Sequence, residues 1–177
     1  MSKRIVLGVT GGIAAYKSAA LCSQLMQSGF EVNVIMTENA AKFVAPLTFQ
    51  TLSRNAVVTS LWDRTDWKPE HVSLADSADL FVVAPATANF IAKYANGIAD
   101  DALTTFAATF GKKVIIAPAM NPAMWRHPAC VENVARLKQR GVVLVGPEKG
   151  HVACGEPGEG RMSEPDKIFE AVKEALK

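Results

Sequence analysis

The chain has 177 residues, with 19 Lys and Arg against 17 Asp and Glu, three His, three Cys and 49% hydrophobic residues; one domain of this size buries roughly 70% of its unfolded surface and needs neither disulfides nor a structural metal to hold a core. A net charge of +2 over dispersed Lys and Arg argues against a nucleic-acid surface held by phosphate contacts. No apolar run reaches the ~18 residues of a membrane span and Met1-Ser2-Lys3-Arg4-Ile5 is no secretory leader, so a cytoplasmic protein with no membrane or nucleic-acid partner is expected.

In chain order, strand-length apolar runs stand at Ile5 to Val9, Val32 to Met36, Leu80 to Ala84, Val114 to Ala117 and Val142 to Val145, with segments of helical period between them. These are runs rather than alternations. Strands apolar on both faces belong to a parallel sheet covered by helices on each side, so the spacing predicts a doubly wound α/β fold, Rossmann-like, as one domain over 1–177. The first helix is expected from about Ile13 to Ser28, with Leu21, Leu25 and Met26 inward and Gly29 as its stop. A second helical region around Ala40 is broken by Pro46, and Leu61 to Glu70 reads as an irregular excursion. Gly146 to Glu164 has no periodicity and is expected to be a long flexible loop over the substrate, before a last helix from about Asp166 to Leu176.

Chemistry concentrates where strands end. Val9-Thr10-Gly11-Gly12-Ile13-Ala14-Ala15 joins the first strand to the first helix; glycines there let a ligand approach the backbone, and helix-start N–H groups attract an anion such as phosphate. A plain tight turn would use the same residues. The spacing is not G-x-G-x-x-G, which favours a mononucleotide over a dinucleotide, although Glu38 in Met36-Thr37-Glu38-Asn39 keeps a nicotinamide cofactor open. Ala84-Pro85-Ala86-Thr87-Ala88-Asn89 puts small and polar residues at a carboxyl edge, where open α/β sheets bind ligands; Thr87 and Asn89 also suit helix caps.

In Pro118-Ala119-Met120-Asn121-Pro122-Ala123-Met124-Trp125 the amide of Asn121 can hold a carboxylate or form a turn, and Met120 and Met124 suit either core or a soft wall for a flat ring. His71 opens a short helix, where a base and a capping residue are both possible; His127 and His151 have no supporting context. The three cysteines match no ligand or disulfide spacing, so no metal is expected. Cys22 falls within the first helix, Cys130 has no context, and Cys154 stands on the Gly-rich loop, exposed and reactive.

Together, Gly11-Gly12-Ile13-Ala14-Ala15, His71-Val72-Ser73-Leu74-Ala75, the 118–125 segment and Ala153-Cys154-Gly155 with Gly160-Arg161-Met162 resemble the flavin-dependent cysteine decarboxylases over nearly the whole chain. Within that family they look like the branch acting on 4′-phosphopantothenoylcysteine to give 4′-phosphopantetheine for coenzyme A. The resemblance implies FMN held by Gly11, Gly12, Ile13, Thr37, Asn39, Ala86, Thr87, Ala88, Asn89 and Ala119. It implies His71 as base, Asn121 on the substrate carboxylate, Cys154 as final proton donor, and Met124 and Arg161 beside the substrate. The implied reaction is transient thiol oxidation, loss of carbon dioxide, and reduction of the resulting ene-thiol. It further implies homotrimers with FMN at subunit boundaries, dodecamers in bifunctional members, and a phosphopantothenate–cysteine ligase as fused or separate partner; Lys177 falls about where the decarboxylase part of such proteins ends.

Relatives of other function share the fold. Peptidyl-cysteine decarboxylases of lantibiotic processing stop at the ene-thiol, and the A-C-G loop argues against them. Flavin prenyltransferases would lack the 118–125 segment, and non-catalytic regulatory relatives carry acidic tails that this chain does not show.

Overall fold

The computed structural model describes residues 2–62, 70–150 and 158–177, at 70–73 by backbone alone. The chain starts in the middle of its sheet. Strand β1 (Arg4–Val9) runs into α1 (Ala15–Gln27), β2 (Glu31–Met36), the short helix α2 (Glu38–Ala41), α3 (Pro46–Ser53) and edge strand β3 (Val57–Val58). It then crosses through α4 (Glu70–Ser77) to β4 (Leu80–Ala86), on the other side of β1, and continues outward through α5 (Ala88–Asn96), α6 (Ala102–Thr109) and β5 (Val114–Pro118). After α7 (Pro122–Trp125) and α8 (Pro128–Gln139) come edge strand β6 (Val143–Leu144), the ribbon strands β7 (Glu148–Gly150) and β8 (Gly158–Arg161), and α9 (Pro165–Ala175).

All six strands of the main sheet are parallel, in the order β3-β2-β1-β4-β5-β6, so the doubly wound reading of the apolar runs is correct. Leu7 pairs with Val34 on one side and Val82 on the other. Because side chains alternate across a strand, Ile5, Leu7 and Val9 join one buried layer with Leu21 and Leu25 of α1 and Ile168 and Val172 of α9. Val6 joins the opposite layer, where the Phe81 ring meets Phe106 edge-on at 4.9 Å and Phe110 at 5.9 Å. Each face of the sheet therefore has its own core, which is why the strands are apolar without alternation.

Gly29, the expected stop of α1, has φ +84°, a conformation that glycine adopts without steric penalty. Pro46 both interrupts the helical region after Ala40 and opens α3 at its first turn, where a missing N–H is harmless. The segment from Gly146 to Glu164 is not wholly a loop: Glu148–Gly150 and Gly158–Arg161 pair antiparallel. Those short strands carry Gly and charged residues, so no apolar period marks them. Residues 151–157, including His151 and Cys154, lie outside the described residues, as does most of the Leu61 to Glu70 excursion. Among the described residues no helix is long and apolar enough to cross a membrane.

Candidate active site

A cleft of about 920 Å³ opens at the carboxyl edge of the sheet, where the strand order reverses between β1 and β4. The turns after β1, β2, β4 and β5 and the strand β8 form its walls.

After β1, the N–H of Gly12 donates to the Thr10 carbonyl at 3.1 Å and that of Ala15 to the Gly12 carbonyl at 2.9 Å; the amides of Gly11, Ile13 and Ala14 meet no acceptor among the described residues. No side chain caps α1, and its first turn holds no acidic residue. The two glycines serve different ends. A Cβ at Gly11 would lie 2.4 Å from Asn39 Cβ, so this residue makes room for α2 and brings Asn39 to the cleft. A Cβ at Gly12 would meet only Thr87 Cγ2, at an ordinary 3.6 Å. No packing among the described residues requires glycine at 12, whereas a ligand seated on the turn would. This cradle of unengaged amides fits a phosphate.

After β2, Thr37 Oγ1 accepts the Ala40 N–H at 3.2 Å and caps α2, while Asn39 Oδ1 accepts from Lys42 Nζ at 3.0 Å. After β4, Thr87 caps α5 by accepting the Phe90 N–H at 3.4 Å, so the capping expectation for this residue holds. The amides of Ala88 and Asn89, at the start of α5, have no acceptor among the described residues. Two helix N-termini thus face one cleft.

After β5, Asn121 caps α7: its Oδ1 accepts the Ala123 N–H at 2.7 Å. The turn-forming and ligand-holding readings of Asn121 are compatible, because the cap fixes the side-chain rotamer and thereby aims the amide. Met124, half exposed, and Met120 stand on the same wall with Ala119. Behind them Cys130 Sγ lies 3.7 Å from Met120 Sδ, and burial pushes the Cys130 thiol up. Cys22 is buried in α1 as expected, its thiol pushed up to about 11 by desolvation.

Gly11, Gly12, Ile13, Thr37 and Asn39 therefore share one cleft with Thr87, Ala88, Asn89, Ala119, Asn121, Met124 and Arg161. Ala86 is apart from them, fully buried in β4 with its carbonyl accepting the Ala119 N–H at 3.0 Å. His71 lies in the first turn of α4, as its sequence position suggested, but its side chain and Cys154 are outside the described residues. His127 is a capping residue, Nδ1 accepting the Ala129 N–H at 3.2 Å.

Two ion-pair groups in the cleft were not anticipated. Glu164 Oε1 lies 2.8 Å from Lys17 Nζ and also meets Arg161 Nη2; the Lys17 hydrogen bond, followed by Arg161, holds the Glu164 carboxyl below the usual carboxylate range. At the other end Lys93 Nζ lies 2.7 Å from Asp100 and 3.7 Å from Asp101, and its bond to Asp100 pushes the ammonium pKa up. Lys17 stands one helical turn after Ile13, a spacing that would have placed it on the cleft side of α1.

The chain is 41% identical over 179 residues to a probable phosphopantothenoylcysteine decarboxylase of Streptococcus mutans, covering 99% of this chain and 100% of that protein. It is 50% identical over 168 residues to the coenzyme A biosynthesis bifunctional protein CoaBC of Bacillus subtilis, covering 94% of this chain but 41% of that protein; the chain thus spans about two fifths of the bifunctional relatives' length. Among solved structures, a PPC decarboxylase mutant complexed with pantothenoylaminoethenethiol superposes with a TM-score of 0.86 at 30% identity, covering 98% of this chain and 97% of the other. The FMN-dependent cysteine decarboxylase SpaF superposes with a TM-score of 0.86 at 33% identity, covering 99% and 98%. The Flavoprotein family model matches residues 1–177, and with the full-length relative it shows that this chain, with its cleft between two helix N-termini at the sheet's switch point, belongs to the Flavoprotein family.

Proposed function

We propose that this chain is an FMN-dependent carboxy-lyase that converts 4′-phosphopantothenoylcysteine to 4′-phosphopantetheine in coenzyme A biosynthesis. The observation that carries the reading is that one cleft joins the amide cradle at Gly12 to the oriented amide of Asn121. The S. mutans relative, matched over its whole length, carries the matching name. Gly11, Gly12, Ile13, Thr37 and Asn39 would hold FMN from one side, with Thr87, Ala88, Asn89 and Ala119 on the other; buried Ala86 would act only by placing Ala119. When bound, FMN supplies a two-electron acceptor and donor, so that the thiol-bearing carbon is oxidised to a thioaldehyde and the ene-thiol left after loss of carbon dioxide is reduced again, with no net redox change.

His71 takes the thiol proton, which makes oxidation at the adjacent carbon possible. Asn121 donates its amide N–H groups to the substrate carboxylate; being neutral, it orients that group without the ground-state stabilisation that a cation would add against its departure. Met124 lines the substrate side, and Arg161 binds an anionic part of the substrate. Cys154 delivers a proton to the carbon that lost carbon dioxide. The protein works as a homotrimer, or as trimers assembled into a dodecamer, in the cytoplasm, with phosphopantothenate–cysteine ligase as a fused or separate partner; that the B. subtilis relative is bifunctional and more than twice this length leaves room for a fused partner.

The test is direct. Purified protein is expected to be yellow, to release FMN on denaturation, and to form 4′-phosphopantetheine from synthetic 4′-phosphopantothenoylcysteine by mass spectrometry. A nicotinamide adenine dinucleotide in the supernatant would instead support a nicotinamide enzyme, and a product two hydrogens lighter would mean a reaction that stops at the ene-thiol.

A further inference from the structure

The two turns that bracket the cleft are tied together by one buried hydroxyl. Thr10 Oγ1 donates to the Pro85 carbonyl at 2.7 Å and accepts the Thr87 N–H at 3.1 Å, and the residue is 1% exposed. The need for it comes from β4. Its pairing register with β5 shifts between Val83 and Ala86. The carbonyls of Ala84 and Pro85 are met by side chains: Ser18 Oγ donates to Ala84 at 2.6 Å, and Thr10 serves Pro85. Thr87 then depends on Thr10 for its N–H while its own Oγ1 and carbonyl receive the Phe90 and Ile91 amides, so the first turn of α5 hangs from the end of β1. Across this link the Gly12 and Thr87 turns face each other, a Cβ at Gly12 being 3.6 Å from Thr87 Cγ2.

We infer that Thr10 is a positioning residue whose hydroxyl sets the gap between the N-termini of α1 and α5, and with it the affinity for a phosphate-bearing flavin. The inference rests on the FMN reading above. Thr10 reaches the cleft wall but is 1% exposed, and its hydroxyl is already engaged by Pro85 and Thr87, so its effect is geometric: it ties the turn that carries the amides of Ile13 and Ala14 to the one that carries those of Ala88 and Asn89. A side chain of the same shape without the hydroxyl would leave the Pro85 carbonyl and the Thr87 N–H unpaired in a buried place, and the two turns would relax apart to find other partners. Ser18 provides an internal comparison, since it makes an equally buried bond to the neighbouring carbonyl yet does not touch Thr87.

The experiment measures the FMN dissociation constant of the holoenzyme from the return of flavin fluorescence on dilution, and the exchange of bound FMN against excess riboflavin, which lacks the phosphate. Thr10→Val is expected to raise the FMN dissociation constant about tenfold or more and to narrow the preference for FMN over riboflavin, the size expected for losing one or two buried hydrogen bonds. Thr10→Ser, which keeps the hydroxyl, should stay within about threefold of wild type, and Ser18→Ala should lower the thermal midpoint yet keep the FMN constant within about twofold. If Thr10→Val does not fold, Thr10→Cys, with its weaker donor and acceptor, must show a smaller shift in the same direction. Wild-type affinity in the folded Val or Cys variant, or equal weakening in Ser18→Ala, overturns the inference while leaving the FMN reading intact. A wild-type protein that carries no FMN overturns that reading itself.

Discussion

The carbonyl of Gly160 accepts the N–H of Met120 at 2.9 Å, and the approach requires that residue 160 have no side chain, since a Cβ there would lie 2.2 Å from the Met120 carbonyl oxygen. Two residues earlier, a Cβ at Gly158 would lie 2.7 Å from Pro122 Cγ. Strand β8 is thus laid directly on the segment that presents Asn121. Gly160→Ala must move one backbone or the other, at a cost of about 1–3 kcal/mol for an overpacked contact. A lower thermal midpoint together with a reduced kcat/KM is expected. If thermal melting and turnover both stay at wild-type values, the ribbon does not set the position of Asn121.

His71→Asn is expected to keep bound FMN and the oligomeric state while the flavin is no longer bleached by substrate under anaerobic conditions, a loss of roughly 10² to 10⁴ in rate for a positioned proton-transfer group. Near-wild-type turnover would return His71 to a capping role at the start of α4.

Asn121→Asp separates the two duties of that side chain. Aspartate caps helices as well as asparagine does, so the Ala123 N–H keeps its acceptor and stability should change by less than about 0.5 kcal/mol. Facing the substrate carboxylate, however, it replaces a donor with a like charge, and KM should rise about tenfold or more at neutral pH. An unchanged KM would place the substrate carboxylate elsewhere.

Cys154→Ser should still oxidise and decarboxylate the substrate but stall before reduction, because a hydroxyl is a far weaker acid than a thiol of ordinary pKa about 8.5. Mass spectrometry should then find a product two hydrogens lighter than 4′-phosphopantetheine. Cys22→Ser and Cys130→Ser should make the full product. Fully reduced product from Cys154→Ser at the wild-type rate would move the proton donor to another residue.

The Lys17–Glu164–Arg161 group predicts an acid dependence. The folded carboxyl of Glu164 is held below its ordinary value, chiefly by Lys17, so its contribution is complete above the unfolded pKa of about 4.3 and disappears as pH falls through the lower folded value. Glu164 is 47% exposed, which keeps the effect small through solvent screening. Thermal midpoints of wild type and Glu164→Gln should differ by a constant few degrees from pH 7 to 5 and converge only as the pH falls through the lowered folded pKa of Glu164. A gap that widens on acidification would reverse the sign and the assignment.

How much of this was legible beforehand depends on how local each cause is. The apolar runs at Ile5 to Val9 and Leu80 to Ala84 announce buried parallel strands because both faces of those strands are covered, and Gly29 announces the end of α1 through its own backbone. Val57 and Val58 are too few to form a run, and the β7–β8 ribbon is held by main-chain bonds between residues with no apolar face to display. Within the site, the strand-end turns were visible as small and polar residues after apolar runs. The Lys17–Glu164 pair spans 147 residues of chain, and nothing near either residue signals the other. Gly11 illustrates a subtler gap: the sequence marks it as a glycine that something must approach, but only the structure shows that Asn39 takes the space a side chain there would fill.

The main sheet ends on both sides in strands of two residues, Val57–Val58 and Val143–Leu144. Such stubs offer a neighbouring chain almost no row of open peptide groups to pair with, so edge-to-edge sheet growth, the common route to aggregation of β-containing proteins, has little purchase here. An ordered association of copies would then not continue the main sheet across the boundary but use other surfaces. Substitutions that disrupt it should be sought on helices and turns.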